Sequence, residues 1–413
     1  MGLKEIGTKI KHASRVLPTI TTKQKQTILR EIASAILINQ ESIKKANQKD
    51  LKAGIEKGLS IAMIDRLKLT DDRIQTMASS VNEVSGLSDP VGEITEDYTR
   101  PNGLRVQRRR IPLGVIGVIY ESRPNVTIEA ASLCFFAGNG LLLRGGSEAF
   151  YSNMELVRIF KFVLETHNLE DVIDIVPSTD RANVDEMAKM NYVLDVIIPR
   201  GGEGLIRHIY QVATVPVIAH YKGNCHVFVD ASADMKKASA IIINGKVQRP
   251  GVCNALETVL VHRGIADAFI PNIIDELISS EVEIRGCERI QKYSDKVKPA
   301  SDQDYDTEYL DLILALKIVD DLNDAITHIH RYGSDHTEGI VSQDQKSIDT
   351  FIQSLDSSAI MVNTSTRFND GGQLGLGAEI GISTTKLHSF GPMGLRELTT
   401  TKFVVIGSGQ IRQ

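Results

Sequence analysis

Short apolar runs that stop at a glycine turn and hand over to a helical pattern recur through the middle of this chain, and no other feature limits its fold so tightly. Leu141-Leu142-Leu143-Arg144-Gly145-Gly146 is one such run, and the segment after it, from about Ser147 to Thr166, carries the apolar stripe of a helix. Val193-Leu194-Asp195-Val196-Ile197-Ile198-Pro199 is another, ending in Arg200-Gly201-Gly202-Glu203-Gly204 before a helix that begins near Leu205. Val172 to Pro177 and Val115 to Tyr120 are further short buried strands. Strand, glycine turn and helix in repetition predict a parallel sheet of Rossmann type, so the fold class is α/β.

The flanks read differently. Up to about Leu87 the residues Ile28, Leu29, Ile32, Ala33, Ile36 and Leu37 recur at helical spacing among Lys, Gln and Glu, which predicts helices. Tyr98 to Val106 contains Asn102-Gly103, a hairpin signal, ahead of the strand at Val115. A second α/β unit begins near Asp230, contains the strand Thr258 to His262 and the acidic loop Ser301 to Glu308, and runs to about Asn363. Asp370 to Glu379 is glycine-rich, too flexible for a helix or strand interior, and is expected to be a functional loop. Leu398 to Ile406, rich in Thr and Val, reads as a strand whose edge is expected to pair with a partner subunit.

A chain of 413 residues, 42% hydrophobic and 24% charged, buries a large core and divides into two or three domains. The formal charge of -5 gives no basic face for nucleic acid, and the densest basic cluster, Arg108-Arg109-Arg110, reads as a solvated edge. No export signal is visible, and the longest apolar runs, Val115 to Tyr120 and Leu310 to Val319, fall well short of the ~20 residues that cross a bilayer. Cys134, Cys225, Cys253 and Cys287 lack paired short spacings, which fits free thiols in a reducing compartment. A cytoplasmic protein without a membrane partner is expected.

Cys253 is the candidate nucleophile among the four. It follows the turn Pro250-Gly251, has Arg249 close upstream and small residues on both sides, where a thiol is reachable and partly ionised. The turns Arg144-Gly145-Gly146 and Arg200-Gly201-Gly202-Glu203-Gly204 place backbone N–H groups along one sheet edge, the second at a helix N-terminus, an arrangement suited to the phosphates of a dinucleotide. His328, His330 and His336 look at first like metal ligands. Residues two apart on a helix do not share a face, and no metal site is expected.

Seven stretches carry a resemblance. Tyr120-Glu121-Ser122-Arg123-Pro124-Asn125-Val126, Leu143 to Gly146, Ile198 to Gly202, Gln248 to Glu257, Gly333 to Ile340, Asn363 to Phe368 and Gly391-Pro392-Met393-Gly394-Leu395 occur in the order found in γ-glutamyl phosphate reductases. The chain resembles that family, a branch of the aldehyde dehydrogenase superfamily, over nearly its whole length. The resemblance implies an aldehyde dehydrogenase-like α/β fold with a Rossmann-type cofactor domain (1–94 and 113–229, with 364–394 returning to it). It also implies an α/β catalytic domain (230–363) and a small β oligomerisation arm (95–112 and 395–413). The activity it implies is reduction of L-glutamyl 5-phosphate by NADPH to glutamate 5-semialdehyde and phosphate, in proline biosynthesis.

In that chemistry Cys253 attacks the acyl phosphate, and the thioester accepts hydride. The Cys253 N–H and the Asn125 amide are the expected oxyanion donors. Arg123, Arg249 and Arg367 are expected to bind the substrate's phosphate and α-carboxylate, with Arg249 first, because guanidinium forks match both anions. His336 and Glu338 are expected to shape the active-site wall, and His388 to touch the cofactor. The cofactor is expected on Arg144, Gly145, Gly146, Ser147, Pro199, Arg200, Gly201, Gly202 and Gly204. Ser147, Glu148 and Glu203 sit where a 2′-phosphate prefers positive company, so NADH is the alternative to NADPH.

Hydrolytic aldehyde dehydrogenases carry a water-activating glutamate where this chain has His220-Tyr221-Lys222-Gly223-Asn224, which favours reduction over oxidation. The alternatives are an enzyme oxidising a free aldehyde, and a non-catalytic scaffold of the same fold. The hairpin and C-terminal strand resemble the superfamily's dimerising arms, so a homo-oligomer, dimer or tetramer, is expected. Association with glutamate 5-kinase would shield a labile acyl phosphate.

Overall fold

The computed structural model describes residues 2–121 and 123–412; Met1, Ser122 and Gln413 lie outside the described residues. The chain forms two compact units, one of residues 1–219, 375–381 and 393–413, the other of 220–374 and 382–392. Among the described residues no helix is long and apolar enough to cross a membrane.

The first unit opens with helices, as the spacing predicts. In Thr22–Ile38 a capping box between Thr21 and Gln24 starts the helix, and Ile28, Leu29, Ile32, Ala33 and Ile36 are buried. A hairpin follows, β1 (Ile94–Thr99) and β2 (Arg105–Pro112), its turn closed by the Gly103 N–H to Arg100 O bond at 2.9 Å. Next come β3 (Val115–Tyr120), β4 (Gly140–Gly145), β5 (Ile173–Ile175) and β6 (Val196–Arg200), all parallel in the order β5-β4-β3-β6. Every residue of β3 is buried, as a strand covered on both faces must be. The helix predicted from Ser147 begins at Phe150, after a short 3-10 turn over Ser147–Ala149.

The second unit carries β7 (Cys225–Val229), β8 (Leu256–His262), β9 (Glu283–Gly286), β10 (Lys298–Pro299), β11 (Ile313–Val319), β12 (Thr337–Val341) and β13 (Ala359–Val362). They form a parallel seven-stranded sheet in the order β10-β9-β11-β8-β7-β12-β13. The division falls earlier than the expected boundary at 229. β7 pairs with β8 and β12, so its backbone bonds tie it to this sheet rather than to that of the first unit.

The return expected over 364–394 is also narrower. Only 375–381 and the chain from 393 onward pack with the first unit. Gly375 and Gly377 hold φ of +80° and +79°, a left-handed backbone that favours glycine, and a side chain on Gly377 would collide with Leu87. A two-stranded ribbon, β14 (Gly381–Ser383) and β15 (Gly391–Met393), precedes the last strand, β16 (Thr399–Ile406).

The C-terminal strand is paired on one side within its own chain. β16 pairs antiparallel with β2 of its own chain from Thr399 opposite Pro112 to Ile406 opposite Arg105, completing a three-stranded sheet with β2 in the middle. The arginine cluster lies on that strand and is locally neutralised: Arg108 meets Glu96 at 3.3 Å and Arg110 meets Glu93 at 3.0 Å.

Candidate functional site

In the first unit the chain runs from β3 to β4 and β5, then returns to lay β6 on the other side of β3. Such a reversal opens a crevice beyond the carboxyl ends of the strands, where ligands of open α/β sheets bind. Both glycine turns are there. Gly145 ends β4 and Gly146 follows, while Pro199 and Arg200 end β6 opposite Ile119 and Tyr120.

Gly201, Gly202 and Gly204 are exposed, and Gly202 caps the helix Glu203–Val212, whose first-turn N–H groups have no intrahelical acceptor. Glu121 reaches into this turn: its Oε2 accepts the Gly202 N–H at 2.9 Å, and a Cβ on Gly201 would lie 2.5 Å from it. Glu148 folds over the other turn, where a Cβ on Gly146 would lie 2.2 Å from its Oε1. Each turn therefore combines bare backbone with a carboxylate, a set that fits the hydroxyls of a ribose beside a helix start able to take a phosphate.

Arg144 departs from its expected place. It is buried and turned into the fold, donating to Gly145 O at 3.0 Å and to Thr179 O and Asp180 O, each at 3.3 Å. Arg200 is half-buried and packs where a Cβ on Gly381 would touch its guanidinium. Ser147 is exposed. Asn125 opens the helix Asn125–Phe136, and its amide donates to Glu129 Oε1 at 2.7 Å, one turn on. Arg123 is half-buried two residues before it.

In the second unit Cys253 lies in the loop between the helix Met235–Val247 and β8, at the amino edge of the sheet. The ends of that loop are tied by Lys246 and Glu257, an ion pair of 2.7 Å with both side chains wholly buried. Asn254 donates to Asn369 O at 2.9 Å, and the Cys225 thiol donates to Cys253 O at 3.1 Å. Gly223 presses against the same peptide: a Cβ there would lie 1.9 Å from Cys253 O. The Gly223 N–H is held by Glu308 Oε1 at 3.0 Å, and Asn224 donates to Tyr305 O and Tyr332 O at 2.7 and 2.8 Å.

Two imidazoles face the Cys253 thiol. His220, His336 and Cys253 each offer a ligand atom, all within 4.8 Å of one another, and the two rings meet edge to face at 5.2 Å. The His220 Nδ1–H donates to Ile382 O at 3.0 Å, which leaves the lone pair on Nε2. His336 Nδ1 lies 2.7 Å from Thr337 Oγ1, which also accepts from Asn369 at 2.7 Å. With Nδ1–H assigned as the donor there, the buried and unpartnered Nε2 of His336 is the other lone pair.

Arg367 is half-buried and donates to Gln248 Oε1 at 2.7 Å. Burial, and then the charge of exposed Arg249, push its pKa down, while Asp370, Cys253 and Cys225 oppose them. Burial pushes the Cys225 thiol well above its ordinary range, which keeps it a donor. Cys253, half-buried, is the reachable member of the pair.

His328 and His330 do not share a site: His328 is buried, and its pKa is pushed down to about 2 by that burial, whereas His330 is exposed. Glu338 is wholly buried behind His336, accepts the His226 N–H at 3.0 Å, and has its pKa raised by burial. His388 falls in the second unit, exposed between β14 and β15.

The profile of the aldehyde dehydrogenase family matches residues 3–285. A gamma-glutamyl phosphate reductase of Geobacter metallireducens is 52% identical over 412 residues, covering 100% of this chain and 99% of that one. The crystal structure of gamma-glutamyl phosphate reductase from Thermotoga maritima superposes with a TM-score of 0.97 at 46% identity, covering 99% of both chains. The chain belongs to the gamma-glutamyl phosphate reductase family. Its fold is accordingly that of the aldehyde dehydrogenases.

Three neighbours of Cys253 escaped the sequence reading of this family member. His220 opens the stretch that lacks the water-activating glutamate, yet only the fold turns its ring toward the thiol. Gly223 was a signal in plain sight, a glycine between Lys222 and Asn224 with no turn to explain it. Nothing in the order of residues connects Cys225 to the peptide of Cys253.

Proposed function

We propose that this chain reduces L-glutamyl 5-phosphate to L-glutamate 5-semialdehyde and phosphate at Cys253, the second step of proline biosynthesis from glutamate. The observation that carries the reading is a half-buried thiol between two imidazoles, with Arg367 within electrostatic reach of it and Arg249 within reach of Arg367. His336 Nε2 takes the thiol proton as sulfur adds to the acyl carbon. The bond from that carbon to the phosphate oxygen then breaks, His336 passes the proton to the departing oxygen, and the phosphate leaves as a dianion toward the two guanidiniums. A thioester remains on Cys253. A nicotinamide cofactor, when bound, supplies the hydride that converts it to a thiohemiacetal. The Cys253 N–H serves as an oxyanion donor, and Asn125 keeps an amide N–H beyond the one given to Glu129 for the same role. The thiohemiacetal oxyanion then collapses, the aldehyde leaves, and the sulfur departs as a thiolate that takes a proton from solvent before the next turnover.

NADPH is the cofactor that the family resemblance implies, held by the turns at Gly145-Gly146 and Gly201-Gly202. One observation favours NADH: Glu148 over Gly146 and Glu121 at Gly202 put carboxylates where a 2′-phosphate would be repelled. The β1-β2-β16 sheet, with Tyr98, Phe403, Val405 and Ile406 exposed, is the proposed surface for self-assembly. Oxidation of glutamate 5-semialdehyde, followed by nicotinamide absorbance, should require inorganic phosphate and disappear in Cys253→Ala. Full-rate oxidation without phosphate would replace this reading by that of a free-aldehyde oxidase.

A further inference from the structure

We propose that His220, Cys253 and His336 form a site for zinc or a similarly soft divalent ion, and that its occupation silences the thiol. One thiolate and two imidazoles are a donor set for borderline-soft ions and a poor one for magnesium or calcium. Among the described residues this is the one group of His, Cys, Asp and Glu whose ligand atoms converge in this way, all within 4.8 Å. Ligand atoms in a tetrahedral zinc site lie about 3.5 Å apart, given its bond lengths. A small closure by the two half-buried members, His220 and Cys253, suffices to reach that.

The backs of both rings are already arranged as in metal sites, where the second ring nitrogen of a ligating histidine donates to a carbonyl or another oxygen and fixes the tautomer. His220 donates to Ile382 O at 3.0 Å, and His336 to Thr337 Oγ1 at 2.7 Å. The independent observation is His336 Nε2, wholly buried and without a hydrogen-bond partner. A metal ion would satisfy it. Three protein ligands leave a fourth position for water.

Arg367 bears on Cys253 with positive charge, which opposes a bare cation and leaves the thiolate as the ligand that draws the ion in. Zinc replaces the proton on sulfur and one proton is released, which makes binding stronger at higher pH. The sulfur lone pair then lies in the metal bond and cannot attack an acyl carbon. This effect on turnover rests on the proposed function; the binding itself does not.

The test uses metal-free full-length protein titrated with cobalt(II), read by the thiolate-to-cobalt charge-transfer absorption, and then with zinc as competitor. One equivalent should produce the band. Cys253→Ser should abolish it, and Cys287→Ser should leave it intact. His220→Ala and His336→Ala should each weaken binding beyond the ~10–100-fold that loss of an outer hydrogen bond costs. Because His336 is wholly buried, His220→Ala decides if His336→Ala fails to fold. Absence of the band in the parent protein, its survival in Cys253→Ser, or unchanged affinity in His220→Ala overturns the site. A normal band in a protein without reductase activity leaves the site standing and removes the proposed reaction; activity without a band does the reverse.

Discussion

Gly223→Ala should disable Cys253 without touching a functional group. A Cβ at position 223 would stand 1.9 Å from Cys253 O, 2.6 Å from its carbonyl carbon and 2.7 Å from its Cα. Ordinary contact begins near 3.4 Å, so one of the two backbones has to retreat by about 1.5 Å. Neither is free to do so. Glu308 holds the Gly223 N–H, Asn224 is bonded to two tyrosine carbonyls, and the Cys253 loop is fastened by Asn254 and by the Lys246–Glu257 pair. A misplacement of ~1 Å at a reacting group costs about 10²-fold in rate, so kcat/KM should fall by about that factor, mostly in kcat. Overpacking of this kind costs about 1–3 kcal/mol of stability, a moderate loss that leaves the protein folded. The assay is phosphate-dependent oxidation of the semialdehyde, paired with the rate of Cys253 alkylation read by peptide mass, which needs no turnover. Gly2→Ala is the control, since a side chain there meets nothing within 4 Å. Wild-type kcat/KM and alkylation rate in Gly223→Ala would refute the argument that this close approach sets the position of the thiol.

Lys246→Met leaves Glu257 buried alone and should cost about 3–5 kcal/mol at pH 8 by urea denaturation, and less at pH 5, where the carboxyl takes up a proton instead. Glu257 itself, pushed up from 4.5 to about 7 chiefly by burial, binds its proton more tightly in the folded protein than in the unfolded chain. Its contribution to stability is complete below pH 4.5 and is lost as pH rises through 7, so wild type should lose stability across that window relative to Glu257→Gln. Glu148→Gln removes a carboxylate beside Gly146 and should raise the ratio of kcat/KM for NADPH over NADH by about tenfold, as one charge-assisted contact would; an unchanged ratio places Glu148 away from the 2′ position.

What could be read from the sequence was whatever is decided locally. Ile28, Leu29, Ile32, Ala33 and Ile36 share one helix face because 3.6 residues make a turn, and they are buried together. The turns after β4 and β6 declare themselves because glycines at strand ends leave backbone bare. The burial split between His328 and His330 followed from helix geometry alone. What could not be read depended on chain segments that meet only after folding. β16 gave no sign of its own-chain partner because that strand, β2, lies far earlier in the chain. Arg144 looked like a phosphate ligand because its sequence neighbours are a glycine turn, whereas the carbonyls that hold it, at Thr179 and Asp180, belong to a later loop. His220 was invisible for the same reason.

The two sheets use opposite edges, and that explains the company Cys253 keeps. The glycine turns follow β4 and β6 at the carboxyl edge, where helices begin and their N–H groups favour an anion. Cys253 precedes β8, Gly223 precedes β7 and His336 precedes β12, so the thiol sits at an amino edge, reached by loops that leave helix C-termini. The helix Met235–Val247 points its carbonyl end toward the start of that loop and offers nothing to a negative charge on sulfur or on an acyl oxygen. Compensation has to come from side chains and from single backbone donors. His220 and His336 converge on this one residue and Arg367 bears on it, with Arg249 in turn acting on Arg367. Position at this edge does not by itself make a nucleophile: Cys225, one strand away, is buried, and that burial holds its thiol protonated.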